Sequence, residues 1–368
     1  MEYLNRILQG DCIETLKKLP ENSIDLIFAD PPYNMQLEDD LIRYEGTKFD
    51  GVDDAWDKFP TLEAYAEFCT QWITECKRVL KKNGSLWIIG SFQNIYKIGS
   101  ILQDMGFWII NDIVWSKSNP VPNFSGTRFT NAHETILWVV KDKKAKPTFN
   151  YKTMKDYNGG KQMKSVWEIP LCTGNERLKD ENGHKVHSTQ KPEEILKRII
   201  LSTSKEGDVV LDPFFGTGTT GAVAKKYNRN FVGIEMDETY CKAAQERIDN
   251  IVVEDMSALR QLEAKPAKVT YKNLLEKQMI SPNEKIYSPD GKIEAVWCDD
   301  SYVDLENEHL SIHIGAARCL NRTNYNGWTY WHILRDGKLT LIDNLREEYR
   351  KRYCQKKYER FNYKKTVD

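Results

Sequence analysis

The sequence is short of several features that would each suggest a class by themselves. Its eight cysteines are widely spaced and form no CxxC pair, so neither a disulfide framework nor a metal site is expected. That usage suits a reducing cytoplasm. No apolar run approaches the roughly 20 residues needed to cross a bilayer. The opening Met1-Glu2-Tyr3-Leu4-Asn5-Arg6 has no signal-peptide pattern. No internal repeat or low-complexity tract is present. A basic excess is also missing: 53 Lys and Arg stand against 54 Asp and Glu, a net charge of −1. A dedicated nucleic-acid binder often carries such an excess. Positive charge must therefore be gathered into local patches if the chain is to meet an anionic partner. With 368 residues, 40% hydrophobic and 29% charged, the chain can form one large α/β domain and a smaller second one.

The chain is organised around Leu26-Ile27-Phe28-Ala29-Asp30-Pro31-Pro32-Tyr33. A short apolar run reads as a buried strand, and two prolines without N–H groups end it and turn the chain outward. Ligands bind at the carboxyl ends of strands in open α/β sheets. Asp30 and the carbonyl of Pro31 can each accept one N–H of an exocyclic amino group, and Tyr33 can stack on the attached ring. Two acceptors on that nitrogen draw its lone pair out of conjugation and sharpen it as a nucleophile. A plain strand-ending turn capped by Asp30 would read the same way.

Far downstream, residues 209–212 form another apolar run that enters the Gly-rich turn Pro213-Phe214-Phe215-Gly216-Thr217-Gly218-Thr219-Thr220. A helix follows at 221–226, then a strand ending at the acid Glu235. Strand, Gly turn, helix, strand and terminal acid make a nucleotide-type βαβ unit. Its glycines admit a cofactor close to the backbone, and its acid can chelate two ribose hydroxyls.

Around these two landmarks, residues 4–9 read as a strand ending at Gly10-Asp11-Cys12, and 13–19 as a short helix that Asp11 can cap. Residues 34–59 form a long acidic, aromatic loop read as a lid or partner surface, with Arg43 and Lys48 able to touch DNA. A helix over 62–81 is stopped by Asn83-Gly84. Strand 86–90, helix 95–105 and strand 108–115 continue a rhythm that predicts a parallel, doubly wound sheet. The irregular span that follows to about 185 holds a strand at 135–140. Arg128, Lys161, Gln162, Lys164 and Lys185 in that span are candidate groove or phosphate contacts. Phe124 could face Tyr33 across a bound ring, or simply pack. His187-Ser188-Thr189-Gln190-Lys191-Pro192 precedes a helix at 193–204 and can supply its first-turn caps or offer an anion site. Helix 237–251 and a linker at 263–268 lead to a second domain of short strands. There Arg322 and Asn326 carry groups suited to guanine and adenine edges. Trp328 could stack on bases, whereas Tyr330 and Trp331 read as core. The stretch 346–365 interleaves nine Lys or Arg and three Glu with five aromatics, either a DNA contact or a solvated helix.

The segment Asp30 to Tyr33, placed ahead of Asp212 to Thr220, resembles the amino-methylating DNA methyltransferases that use S-adenosyl-L-methionine, in the motif order of their beta group. Residues 52–57, 111–115, 131–135, 187–192 and 326–332 are similar to the GANTC-specific adenine-N6 enzymes (HinfI-like modification enzymes and cell-cycle-regulated methyltransferases). The resemblance covers nearly the whole chain. It implies a doubly wound Rossmann-like α/β methyltransferase sheet with circularly permuted motif order over 1–262, with a recognition insert at about 117–186. It further implies a small mixed β DNA-binding domain over 269–368. Asp30, Pro31, Pro32 and Tyr33 are then catalytic. The cofactor set is Asp11, Cys12, Asp30, His187, Thr189, Gln190, Lys191, Asp212, Phe214, Gly216, Gly218, Thr219, Thr220 and Glu235. In that set Asp11 accepts from the cofactor adenine, and the helix after Pro192 receives its carboxylate. Phe124, Arg128, Lys164, Ser311, Arg322, Asn326 and Trp328 are the DNA contacts.

The expected activity is methylation of adenine N6 in double-stranded DNA at a GANTC-like site, with the base flipped out and no metal. Such enzymes often act as dimers, so a homodimer is an expected partner arrangement, in a cytoplasmic, nucleoid-associated setting. An N4-cytosine enzyme is the nearest rival, disfavoured by Asp at position 30 where those enzymes usually carry Ser. An RNA or protein amide methyltransferase and a catalytically silent DNA-binding protein complete the alternatives.

Overall fold

The computed structural model describes residues 2–34, 58–123, 126–263, 267–299 and 302–354, which divide into two compact units at residue 263. The acidic loop at 35–57, Phe124 and the basic tail beyond 354 lie outside the described residues. In the first unit the strands are β1 (Arg6–Gln9), β2 (Ile24–Ala29), β3 (Leu80–Gly90), β4 (Trp108–Lys117), β5 (His133–Val140), β6 (Val166–Ile169), β7 (Val209–Asp212) and β8 (Asn230–Glu235). The helices are α1 (Cys12–Leu16), α2 (Leu62–Val79), α3 (Ile95–Asp104), α4 (Tyr151–Tyr157), α5 (Glu193–Thr203), α6 (Thr219–Lys226), α7 (Glu238–Asp249) and α8 (Ser257–Glu263).

The sheet order is β1-β8-β7-β2-β3-β5-β4-β6. Strand β2 pairs in parallel with both β3 and β7, and a central strand covered on both faces must be apolar along its length. Its residues alternate between two cores. Ile27 and Ala29 join Leu16, Trp72, Ile98 and Leu102 on one side, while Leu26 and Phe28 join Ile195, Ile199, Ala222 and Ala244 on the other. Expected as parallel throughout, the sheet is mixed: β5 runs antiparallel to both β3 and β4. Trp87 and Trp138 face each other across that β3–β5 ladder, stacked at 5.1 Å, and their indole N–H groups donate to Thr203 and Ser85.

Helix α2 ends at Val79, short of Asn83-Gly84. Leu80 already pairs with Ile24 and is fully buried, so the chain enters β3 at once. Asn83-Gly84 falls inside β3, where the register slips between the Ile24/Leu80 and Leu26/Ser85 pairs. Helix α1 is shorter than expected, and Asp11 caps it by accepting from the amides of Ile13 and Glu14.

The second unit contains α9 (Tyr271–Glu276), β9 (Glu284–Tyr287), β10 (Glu294–Trp297), β11 (Tyr302–Leu305), β12 (Glu308–Ser311), α10 (Ile312–Cys319), β13 (His332–Arg335), β14 (Lys338–Leu341) and α11 (Ile342–Tyr353). Its six strands pair antiparallel in the order β12-β11-β10-β9-β13-β14. Trp297, Trp331, Tyr330, Ile286 and Val303 fill its core, and the Trp331 indole donates to the Ile312 carbonyl at 3.0 Å. Tyr330 and Trp331 are thus interior, as their sequence context suggested.

Gly233 in β8 has no side chain because the Phe215 ring occupies the space where a Cβ would stand. Gly233→Ala should destabilise the first unit by about 1–3 kcal/mol through overpacking, read as a lower denaturant midpoint with an unchanged m-value.

Candidate active site

The strands that share a direction with β2 end at one edge of the sheet. There β1 runs into Gly10-Asp11, β2 into Asp30, β4 into Lys117, β7 into Asp212 and β8 into Glu235. The reversed β5 contributes its beginning to the same edge, since Thr135 pairs with Gly90 and Glu134 with Trp115. A cavity of about 1020 Å³ lies along this edge and is lined by residues at or just past the ends of these strands. Asp11, Cys12, Asp30, Pro31, Pro32, Tyr33, Arg128, His187, Thr189, Gln190, Lys191, Asp212, Phe214, Gly216, Thr219, Thr220 and Glu235 all reach it. Gly218 and Lys164 are not among its lining residues.

In one half of the cavity, Glu235 accepts from the amides of Gly216 at 2.7 Å, Met236 at 2.8 Å and Asp237 at 2.9 Å. These bonds fix a carboxylate at a strand end and leave Oε2 a lone pair with which to accept from a ribose hydroxyl. Burial nevertheless raises its proton affinity. Asp212 accepts from the Thr220 hydroxyl at 2.5 Å and the Phe214 amide at 2.9 Å, and burial pushes its carboxyl up to about 7. Gly216, at φ 50°, presents bare backbone to the cavity. Gly218, at φ 76°, has a packing reason as well. A Cβ there would stand 2.8 Å from that of Ala244, so this glycine lets α6 and α7 pack. Burial lifts the Cys12 thiol to about 12, leaving it an inert wall. Burial also drops His187 to about 4; it is neutral, and its Nδ1 accepts from the Thr189 amide. Bare backbone, a ribose-suited acid and apolar walls such as Phe214 fit a nucleoside cofactor.

The caps expected at α5 are not made by Ser188, Thr189 or Gln190. Glu176 instead accepts from the Glu193 amide at 2.5 Å, and Gln190 spans the Leu178 amide and the Glu176 carbonyl. A protein carboxylate therefore already sits where the cofactor carboxylate was expected.

In the other half, Asp30 Oδ2 lies 2.7 Å from Lys191 Nζ, and Oδ1 lies 3.0 Å from the Tyr33 hydroxyl. That hydroxyl is equally 3.0 Å from Glu134 Oε2, and Lys117 Nζ holds Glu134 Oε1 at 2.8 Å. Two carboxylates and two ammonium groups thus close a nearly buried, electrically neutral cluster around one phenol. Burial raises Asp30 against the pull of Lys191, while Glu134, facing two lysines, falls below the usual carboxylate range despite its burial. Lys191 rises despite burial because Asp30 and Glu134 both stabilise its charge. Lys191, expected in the cofactor set, places its ammonium on Asp30 and lies 5.1 Å from the Tyr33 ring centroid. Neither Glu134 nor Lys117 was singled out. The available signal was an acid opening an otherwise apolar strand. The turn itself is tied by the Pro32 carbonyl, which accepts from the Tyr65 hydroxyl at 2.8 Å.

Of the DNA candidates, Arg128 lines the cavity and lies 5.7 Å from the Phe92 ring centroid, and Lys164 is exposed just before β6. In the second unit Ser311 caps α10 by accepting from the Ile314 amide. Arg322 is exposed, and Asn326 accepts from the Trp328 amide. Trp328 is half-buried, edge-on to Trp297 at 5.5 Å and beneath the Arg346 guanidinium at 4.2 Å, so packing takes much of its surface. Among the described residues, Cys298, Asp304 and His309 are the one group close enough to share an ion, and His309 is already paired with Asp304 at 2.7 Å.

A nucleoside cradle and an acidic amino-group pocket opening into one cavity define the class: a methyltransferase that brings S-adenosyl-L-methionine and its acceptor to a single sheet edge. Comparison with known proteins narrows it. The model of the DNA methylase family matches residues 24–246, and that of a domain described as Restriction Enzyme Adenine Methylase Associated matches 254–355. The type II methyltransferase M.HinfI of Haemophilus influenzae is 54% identical over 349 residues, covering 95% of this chain and 97% of its own length. The type II methyltransferase M2.DpnII of Streptococcus pneumoniae is 47% identical over 245 residues, covering 66% of this chain and 89% of its own. The structure of the PvuII cytosine-N4-specific DNA methyltransferase shares the fold, with a TM-score of 0.53, 20% identity, and coverage of 70% of this chain and 90% of that one. The chain belongs to the DNA methylase family.

Asp212 yields a pH test. Its folded-state affinity near pH 7 exceeds the ordinary 3.8, so the folded state keeps a proton that the unfolded chain releases between those values. Stability should therefore fall as pH climbs through that window and level off above it. Asp212→Asn keeps both hydrogen bonds, by donating to Thr220, and removes the charge. Without cofactor its stability advantage should be near zero at about pH 4 and on the order of 4 kcal/mol at about pH 8. Denaturant titrations at the two pH values measure it, and a pH-independent difference would refute the assignment.

Proposed function

We propose that this protein methylates N6 of adenine in double-stranded DNA, within GANTC sites, after flipping the base out of the duplex. The observation that carries the reading is Asp30, fixed by Lys191 at the head of the cavity that also contains the Glu235 cradle. An amino group reaching Asp30 meets a carboxylate and the Pro31 carbonyl as acceptors, with the Tyr33 ring beside it. The bound cofactor supplies an electrophilic sulfonium methyl group. The chain's part is to orient the nitrogen, exclude water and offset its developing positive charge with Asp30. Flipping costs a few kcal/mol, which stacking and these hydrogen bonds repay in part. No covalent enzyme intermediate is required, because the amino nitrogen is itself the nucleophile.

The adenine reading is supported by Asp rather than Ser at position 30, by a C-terminal match described in terms of adenine methylases, and by the extent of likeness to M.HinfI. GANTC rests on the resemblance of the whole chain. Phe124, Arg128 and Lys164 in the insert, with Ser311, Arg322, Asn326 and Trp328 in the second unit, are proposed to contact the duplex. The enzyme acts in the cytoplasm on nucleoid DNA, with a homodimer as the proposed assembly.

The test is methyl transfer from labelled S-adenosyl-L-methionine to duplexes with and without GANTC. Label should appear as N6-methyladenine in the GANTC duplex, and Asp30→Ala should lower the rate by at least about 100-fold. Labelled N4-methylcytosine, or transfer indifferent to GANTC, would overturn the corresponding part of the reading.

A further inference from the structure

We propose that Glu134 is a positioning residue for methyl transfer: it draws the Tyr33 hydroxyl proton to itself and so leaves Asp30 Oδ1 open to the amino group being methylated. The inference rests on the function proposed above and extends it to a residue on the one reversed strand. A phenol carries a single proton, yet the Tyr33 oxygen stands 3.0 Å from a carboxylate oxygen on either side, Asp30 Oδ1 and Glu134 Oε2. Only one of them can receive that proton at a time. Were it given to Asp30, both oxygens of the catalytic acid would face donors, Tyr33 at Oδ1 and Lys191 at Oδ2. The incoming amino N–H would then share Oδ1 with a bond that already draws on its charge. Glu134 prevents this. Its own charge is fixed by Lys117 at 2.8 Å, and its side chain is only 11% exposed, so its pull on the phenol is little screened by water. The same bond anchors the Tyr33 ring against the pocket wall. Glu134 reaches this place because β5 begins where its neighbours end, one pair from the Gly90–Thr135 register point.

The experiment is a double-mutant cycle read by single-turnover methyl transfer on the target duplex. Glu134→Gln should slow the chemical step by about 10-fold or more, whereas Tyr33→Phe, which loses the ring's anchor but leaves Oδ1 open, should slow it less, with KM values for DNA and cofactor little changed. With Tyr33→Phe in place, adding Glu134→Gln should change the rate by less than about twofold. Losses that simply multiply would overturn the proposal, because a merely structural Glu134 would act independently of the phenol. If Glu134→Gln fails to fold for want of a partner for Lys117, Glu134→Gln/Lys117→Met removes both charges and enters the same cycle. A second readout needs no substrate. In protein carrying 13Cζ-tyrosine, the resonance lost in Tyr33→Phe should move in Glu134→Gln, and an unmoved resonance would overturn the contact. Movement in an enzyme that methylates no duplex would support the hydrogen bond and refute the DNA function instead.

Discussion

The site depends on one buried ion pair, between Asp30 at the end of β2 and Lys191 just before α5. A carboxylate placed at the rim of an apolar sheet would lose its charge to burial, as the upward shift of Asp30 shows. The ammonium at 2.7 Å opposes that loss, and in holding Asp30 it joins the two halves of the sheet edge. The phenol of Tyr33, the second carboxylate at Glu134 and the second ammonium at Lys117 follow as parts of one neutral cluster. Each charge in it is compensated by another, which is the condition under which charges persist away from water. The Asp30 carboxylate is thereby held in place by the fold itself, as a preorganised acceptor requires.

Much of this was legible in the residues. Strand β2 announces itself as an apolar run broken by two prolines. The β7-α6-β8 unit announces itself through a Gly turn and a closing acid. Both signals are local, and both mark the carboxyl ends of parallel strands, so Asp30, Asp212 and Glu235 could be placed before any coordinate. What escaped was non-local. Glu134 opens a strand that runs against its neighbours, and no sequence rule for parallel sheets looks at the amino end of a strand. Lys191 was visible, but its partner was not, because the pair joins residues far apart in the chain. Asn83-Gly84 looked like a helix stop, yet the burial of Leu80 and its pairing with Ile24 ended the helix first. Gly218, expected as a cofactor glycine, also packs against Ala244 where no Cβ would fit.

The second unit was readable in outline as short strands rich in aromatics, and the interior positions of Tyr330 and Trp331 agree with that outline. Its recognition chemistry is a different matter. Arg322 and Asn326 carry the groups that read base edges, but a guanidinium or an amide on a surface names no base by itself.

The central claim, that Lys191 serves the catalytic acid rather than the cofactor, is tested most directly by Lys191→Met, with cofactor affinity measured by calorimetry alongside single-turnover methyl transfer. The account predicts that the dissociation constant for S-adenosyl-L-methionine shifts by no more than about threefold while the methyl-transfer rate falls by at least about 30-fold, the loss expected when a buried charge-assisted pair at the reacting group is broken. A loss of cofactor affinity that accounts for the whole loss of rate would contradict it and return Lys191 to the cofactor site.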